Sequence, residues 1–130
     1  MRQPTVRTTK IFTFDAAHFL PGHEGKCAQM HGHTYRLEVT VERKDGGVAT
    51  GGPEDGMVID FGRLSALIKD RVVDKLDHKV LNDCFPFRPT SENMARHIFI
   101  ELSAILANED VNVVRVVLWE TPTSYVEVTA

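Results

Sequence analysis

Residues 31–43 read "HGHTYRLEVTVER". Tyr35, Leu37, Val39 and Val41 take every second position, and Arg36, Glu38, Thr40 and Glu42 fill the gaps. Successive side chains of a strand point to opposite faces, so this alternation predicts a strand with one apolar and one polar face. Its apolar face must lie on another layer. By the same parity His31 and His33 continue that apolar face.

The segments on either side build the layer. Residues 8–18, "TTKIFTFDAAH", alternate too, with Phe12, Phe14, Ala16 and His18 on one face. Residues 60–76, "DFGRLSALIKDRVVDKL", change period. Leu64, Leu67, Ile68, Val72 and Leu76 fit one helical stripe, and Asp60 is the expected N-cap. Residues 89–108, "PTSENMARHIFIELSAILAN", predict a second helix that Pro89 and Thr90 open, with Met94, Ile98, Leu102 and Ile105 on its buried side. "VNVVRVVLWE" returns to strand, placing Val114, Val116, Leu118 and Glu120 on one face and Trp119 on the other. "SYVEVTA" closes the chain as a short strand after a turn. The order is β-β-α-α-β-β, an α+β layout of antiparallel strands with two helices on one face. Between the second strand and the first helix, "KDGGVATGGPEDG" (44–56) reads as a surface loop and lacks the Gly-Lys-Ser/Thr ending of a phosphate-binding loop.

The length of 130 residues fits one domain spanning 1–130. A net charge of −3 without a long basic run argues against nucleic acid as the main partner. Two cysteines make no disulfide framework. No signal peptide or membrane-length apolar run stands out, so the expected setting is reducing and cytoplasmic, with no membrane partner.

His31 and His33 are two apart on a strand and point the same way. His18 ends the neighbouring strand on the same face. Three imidazoles from two strands suit one zinc ion and leave a coordination position open, as catalytic zinc needs. A lone His-x-His is common and more often merely packs; the third histidine strengthens the metal reading. His23 lies in the turn "PGHEG" and His97 on a helix, and neither is expected to ligate. Cys27 lies four residues before His31 and has two readings. It is a fourth ligand, or it is a thiolate acting as base or nucleophile, and spacing does not choose between them. Cys84 reads as a packed, inert thiol.

In "KLDHKVLN" (75–82), Asp77 precedes His78 just after the first helix. A carboxylate can orient an imidazole as a proton relay, though such residues also gather at helix ends. Glu120 on an apolar strand face needs a partner, because burying a lone carboxylate is costly. A ring with adjacent N–H donors, such as an amino-pyrimidinone, would supply one; the other reading is that the strand has ended and Glu120 is solvated.

Together "FDAAH" (14–18), "CAQMHGHTY" (27–35), "GMVIDF" (56–61), "LDHKVLN" (76–82), "PTSEN" (89–93) and "WETPTSYVEV" (119–128) resemble the 6-pyruvoyl-tetrahydropterin synthase family, most closely its 6-carboxy-tetrahydropterin-forming branch in queuosine biosynthesis. The resemblance covers nearly the whole chain. It implies the tunnelling fold, a four-stranded antiparallel sheet with two helices on one side. It also implies assembly into an oligomeric barrel, commonly a homohexamer built as a dimer of trimers, with active sites at subunit interfaces. His18, His31 and His33 match the zinc ligands, Cys27 the catalytic cysteine, and Asp77 and His78 its proton-relay partners. Glu120 matches the acid that anchors the pterin ring, and Thr90 and Glu92 fall where the family lines its pterin pocket. The implied activity is a zinc lyase acting on 7,8-dihydroneopterin triphosphate, with acetaldehyde and triphosphate released. The alternatives are the pyruvoyl-forming reaction, which eliminates triphosphate without cleaving carbon–carbon, and a non-catalytic zinc- or pterin-binding protein. Lys26 or Arg36 would meet the triphosphate.

Overall fold

A computed structural model describes residues 3–130. Strand β1 (Arg7–His18) runs antiparallel to β2 (His31–Arg43), joined by a loop that carries a short 3₁₀ turn, Lys26–Ala28. Helix α1 (Phe61–Ile68) continues through a π-helical segment, Lys69–Val73, into α2 (Asp74–Leu76). There follow β3 (Lys79–Val80), α3 (Leu81–Cys84), α4 (Ser91–Ile105), β4 (Val111–Thr121) and β5 (Ser124–Thr129). The sheet order is β3-β1-β2-β4-β5.

The sheet therefore has five strands, not the four expected. The additional strand is β3, two residues that pair parallel with Ala16 and Ala17. Two residues carry no periodicity, so the sequence gives no signal for them. The first helix also differs from the single α-helix expected. A π-helical turn admits an extra residue per turn, and here it lets the neighbours Val72 and Val73 both reach the core.

The core lies between one sheet face and the helices. Tyr35, Leu37, Val39 and Val41 are fully buried, against Leu64, Ile68, Met94, Ile98 and Leu102. The helix starts are capped as the sequence predicts. The Asp60 carboxylate accepts from the Arg63 N–H at 2.9 Å, and the Thr90 hydroxyl accepts from the Asn93 N–H at 3.1 Å. Each bond satisfies an N–H that has no partner within the helix.

Strict alternation fails on β4. Val41 pairs with Val113 and Thr40 with Arg115, so Val114 is an inserted residue in a β-bulge. The core face is Val111, Val113, Val116 and Leu118, and Val114 leaves it. A second irregularity lies between Trp119 and Thr121, where β4 pairs with β5, and it falls on Glu120. The other sheet face is polar, with the Arg7–Glu42 and Arg115–Glu127 ion pairs and the Trp119 indole donating to Glu38 at 2.9 Å.

Candidate active site

The strand register brings the three histidines together. His18 sits directly opposite His31, and Ala16 opposite His33, at one end of the β1–β2 pair. Ring centroids are 4.6 Å apart for His18–His31, 5.2 Å for His18–His33 and 4.9 Å for His31–His33. One ring nitrogen from each lies within 4.8 Å of the others.

The tautomers follow from the partners. His18 Nδ1 is 2.8 Å from the Pro89 carbonyl, and His31 Nδ1 is 2.7 Å from the Gln29 carbonyl. A carbonyl only accepts, so both Nδ1 atoms carry the hydrogen and both Nε2 atoms hold a lone pair. Nε2 of His18 and of His33 is buried with no hydrogen-bond partner in the protein. Buried polar atoms are normally paired. Converging, correctly oriented imidazoles with unpaired Nε2 atoms fit a transition-metal ion, and the carbonyl contacts are the support that ligating histidines characteristically have. Burial lowers the His33 pKa, the Glu120 charge opposes that, and His18 and His31 add to it. The net shift is downward, which favours the neutral, ligating form.

Glu120 stands beside this cluster. Its carboxylate oxygens lie 3.8 Å from His33 Nε2 and 4.0 Å from His18 Nε2. The Ser91 hydroxyl donates to it at 2.7 Å. Ser91 is the first residue of α4, so the positive end of that helix also faces the carboxylate. Strand parity found Glu120, but it missed Ser91, whose only signal is its place inside "PTSEN". Thr90 spends its hydroxyl on the helix cap, and Ser91 is the residue that reaches Glu120. Glu92 lines a small cavity of about 200 Å³ with Ser91, Glu120 and Tyr125. Tyr35 lies beneath the cluster, its ring edge-on to His18 and His33, and burial and then the Glu120 charge push its phenol pKa upward.

Asp77 and His78 sit at the outer edge of β1. Asp77 Oδ2 is 3.0 Å from His78 Nδ1. The Asp15 backbone N–H donates to Asp77 Oδ1 at 2.9 Å, and the His78 N–H donates to the Asp15 carbonyl at 2.6 Å. The Asp77 carboxyl is held below its usual range by the Asp15 N–H first and by His78 second. His78 has φ +60, the only positive φ at a non-glycine among the described residues. That conformation is uncommon and is found where a site holds it in place. Asp77 and His78 thus form a close carboxylate–imidazole pair just after the first helix.

Two cavities meet at Gly32, His33 and Thr34. One, of about 620 Å³, is also lined by Arg36, Trp119 and Glu120. The other, of about 490 Å³, is also lined by Asp15, His78 and Lys79. A side chain on Gly32 would meet only the Ala16 carbonyl, at 3.7 Å, so packing does not demand glycine there. Its bareness keeps the ridge between the cavities low.

Cys27 lies in the 3₁₀ turn, half-buried and free, with its carbonyl accepting from the Leu20 N–H at 2.7 Å. Its sulfur is outside the group formed by His18, His31 and His33. The fourth-ligand reading therefore loses its geometric basis in this chain. His23 binds the Gly25 N–H within its turn, and His97 pairs with Glu101 at 3.3 Å and packs on Phe85 and Phe87, so both stand apart from the cluster. Cys84 donates to the Val80 carbonyl, and burial raises its pKa, as suits an inert thiol.

The family model described as 6-pyruvoyl tetrahydropterin synthase matches residues 7–130. The chain belongs to that family. It is an enzyme of this lyase family, and every site residue described above lies in the matched span. It is 36% identical to the 6-carboxy-5,6,7,8-tetrahydropterin synthase of Haemophilus influenzae, over 93% of this chain and 96% of that protein. It is 47% identical to the Synechocystis protein of the same name, over 72% of this chain and 71% of that one. The 6-pyruvoyl tetrahydropterin synthase structure from Caenorhabditis elegans superposes with a TM-score of 0.81 at 29% identity, covering 100% of this chain and 99% of that one. No helix among the described residues is long and apolar enough to cross a membrane.

Proposed function

We propose that the chain is a zinc-dependent 6-carboxy-tetrahydropterin synthase. It would take 7,8-dihydroneopterin triphosphate and water to 6-carboxy-5,6,7,8-tetrahydropterin, acetaldehyde and triphosphate. The observation that carries this reading is the triad of converging imidazoles, with the Nε2 atoms of His18 and His33 unpartnered, flanked by Glu120 on one side and by the Asp77–His78 pair across the His33–Thr34 ridge. His18, His31 and His33 would hold the metal. When bound, zinc supplies Lewis-acid polarisation of the substrate's side-chain hydroxyls.

The chain's own residues do the rest. Glu120, fixed by Ser91, accepts from the ring's amide N–H and amino group, two donors that match two carboxylate oxygens. This sets the ring in the cavity beside Trp119 and sends the side chain over His33. His78, its Nδ1 held by Asp77, presents Nε2 to move a proton at the side-chain carbon. Cys27, as thiolate, takes a proton from the other side. Thr90 acts through its helix cap, and Glu92 lines the pocket beyond Glu120.

Cys27 lies outside the histidine group of its own chain, which suits a site completed between subunits. We propose a homohexameric barrel, a dimer of trimers. Strand β5 leaves one sheet edge open, and the other ends in a two-residue strand; exposed edges of this kind invite closure by further copies. The domain unit would be the whole chain, 1–130, working in the cytoplasm.

The pyruvoyl-forming reaction is the second reading, favoured by the fold likeness to the Caenorhabditis elegans enzyme. The curated relatives at 36% and 47% identity carry the carboxy-forming name and favour the first. Incubation with 7,8-dihydroneopterin triphosphate and assay of acetaldehyde separates them. Stoichiometric acetaldehyde is expected; a 6-pyruvoyl product without acetaldehyde would overturn the assignment.

A further inference from the structure

The Asp77–His78 pair is held less by its own segment than by β1. Asp15 receives the His78 N–H on its carbonyl and gives its own N–H to Asp77, clamping both residues through the backbone. Any residue could make those two bonds. The side chain adds something more specific. A carboxylate oxygen of Asp15 lies within 4.8 Å of both the Asp77 carboxylate and a His78 ring nitrogen. The Thr34 hydroxyl donates to Asp15 Oδ1 at 2.5 Å. Thr34 directly follows His33, and Asp15, Thr34, His33 and His78 line the same cavity.

We propose that Asp15, fixed by the Thr34 hydroxyl, is a positioning residue that aims the His78 imidazole into the cavity beside His33. The proposal rests on the relay reading of Asp77 and His78 given above. Two carboxylates this close repel unless donors hold them. Asp77 is satisfied by the Asp15 N–H and His78, and Asp15 Oδ1 by Thr34. An Asp15 carboxylate oxygen thereby stays within 4.8 Å of the imidazole. The chain Thr34–Asp15–His78 thus ties the ring to the same strand that carries His31 and His33. The distance from the relay to the metal-side histidines is then set by β1–β2 pairing and not by the isolated Asp77–His78 turn.

The test uses the zinc-loaded, assembled enzyme. T34V removes the donor, T34S keeps it, and D15N removes the charge while leaving the backbone bonds. T34V and D15N should each lower kcat about tenfold, part of the roughly 10²–10⁴ that a positioned acid–base group supplies. KM and zinc content should stay unchanged, and T34S should restore kcat. Combined with H78Q, D15N should add no further loss, because its effect runs through His78. Nitrogen NMR of the His78 ring, which needs no substrate, should show one Nδ1-protonated tautomer in the wild type and a mixture in T34V. An unchanged kcat, an additive loss in the H78Q background, or an unaltered tautomer signal would each overturn the positioning role. Full turnover by H78Q alone would instead strike the relay reading, and the proposal with it.

Discussion

Ser91→Ala is the most informative single change to the ring-binding side. The Ser91 hydroxyl donates to Glu120 at 2.7 Å, and Ser91 is only 5% exposed. A hydrogen bond to a charged group contributes about 1.5–3 kcal/mol, and the partial exposure of Glu120, at 31%, points to the lower end. Helix loss does not confuse the result. Thr90 caps α4 on its own, and alanine has a higher helix propensity than serine. Without Ser91 the carboxylate loses this hydroxyl donor and turns away from the line on which it meets a ring. A loss of about 1.5 kcal/mol corresponds to roughly tenfold in affinity. We expect S91A to raise KM for the pterin substrate, and its calorimetric Kd, by about tenfold. The value of kcat should fall less than threefold, and bound metal should stay at the wild-type level. Unchanged KM and Kd in S91A would refute the view that this hydroxyl aims Glu120. Loss of metal would show instead that Ser91 supports the histidines.

Other expectations follow from the same geometry. Thr90→Ala removes the cap of α4 and should destabilise the protein by about 1 kcal/mol in urea titration, with T90S retaining most of it. H33A should release metal on purification, read by elemental analysis, whereas C27A should keep the metal and lose turnover; release of metal from C27A would make the thiol a ligand after all. Asp77 has its pKa lowered in the fold, so its contribution to stability is present above the ordinary value near 3.8 and is lost as pH falls through the folded value. The stability gap between wild type and D77N should therefore be constant near neutrality and close below about pH 4, measured by urea midpoints; a gap that widened in acid would contradict the assigned bonds.

Much of this molecule is legible by parity alone. Tyr35 to Val41 alternate without interruption, and the same count carried back to His31 and His33 and across to His18 finds the histidine cluster. Parity breaks where the backbone inserts a residue. Val114 is such an insertion, and the count that placed it in the core is off by one up to the bulge and correct after it, which is why Glu120 was found and Val113 was not. The π-helical turn hides Val73 for the same reason. Strand β3 has two residues and exists because the His78 N–H finds the Asp15 carbonyl, a long-range bond that leaves no local pattern. Ser91 escaped because a serine at a helix start reads as an ordinary capping residue.

Three consecutive residues, Pro89, Thr90 and Ser91, each hold something different. The Pro89 carbonyl orients His18, the Thr90 hydroxyl starts α4, and the Ser91 hydroxyl meets Glu120. A one-residue insertion here would rotate all three out of place together. Deletion or insertion scanning should find this tripeptide wholly intolerant. The 44–56 loop supplies none of these three contacts, and it is where the chain can change length and still work.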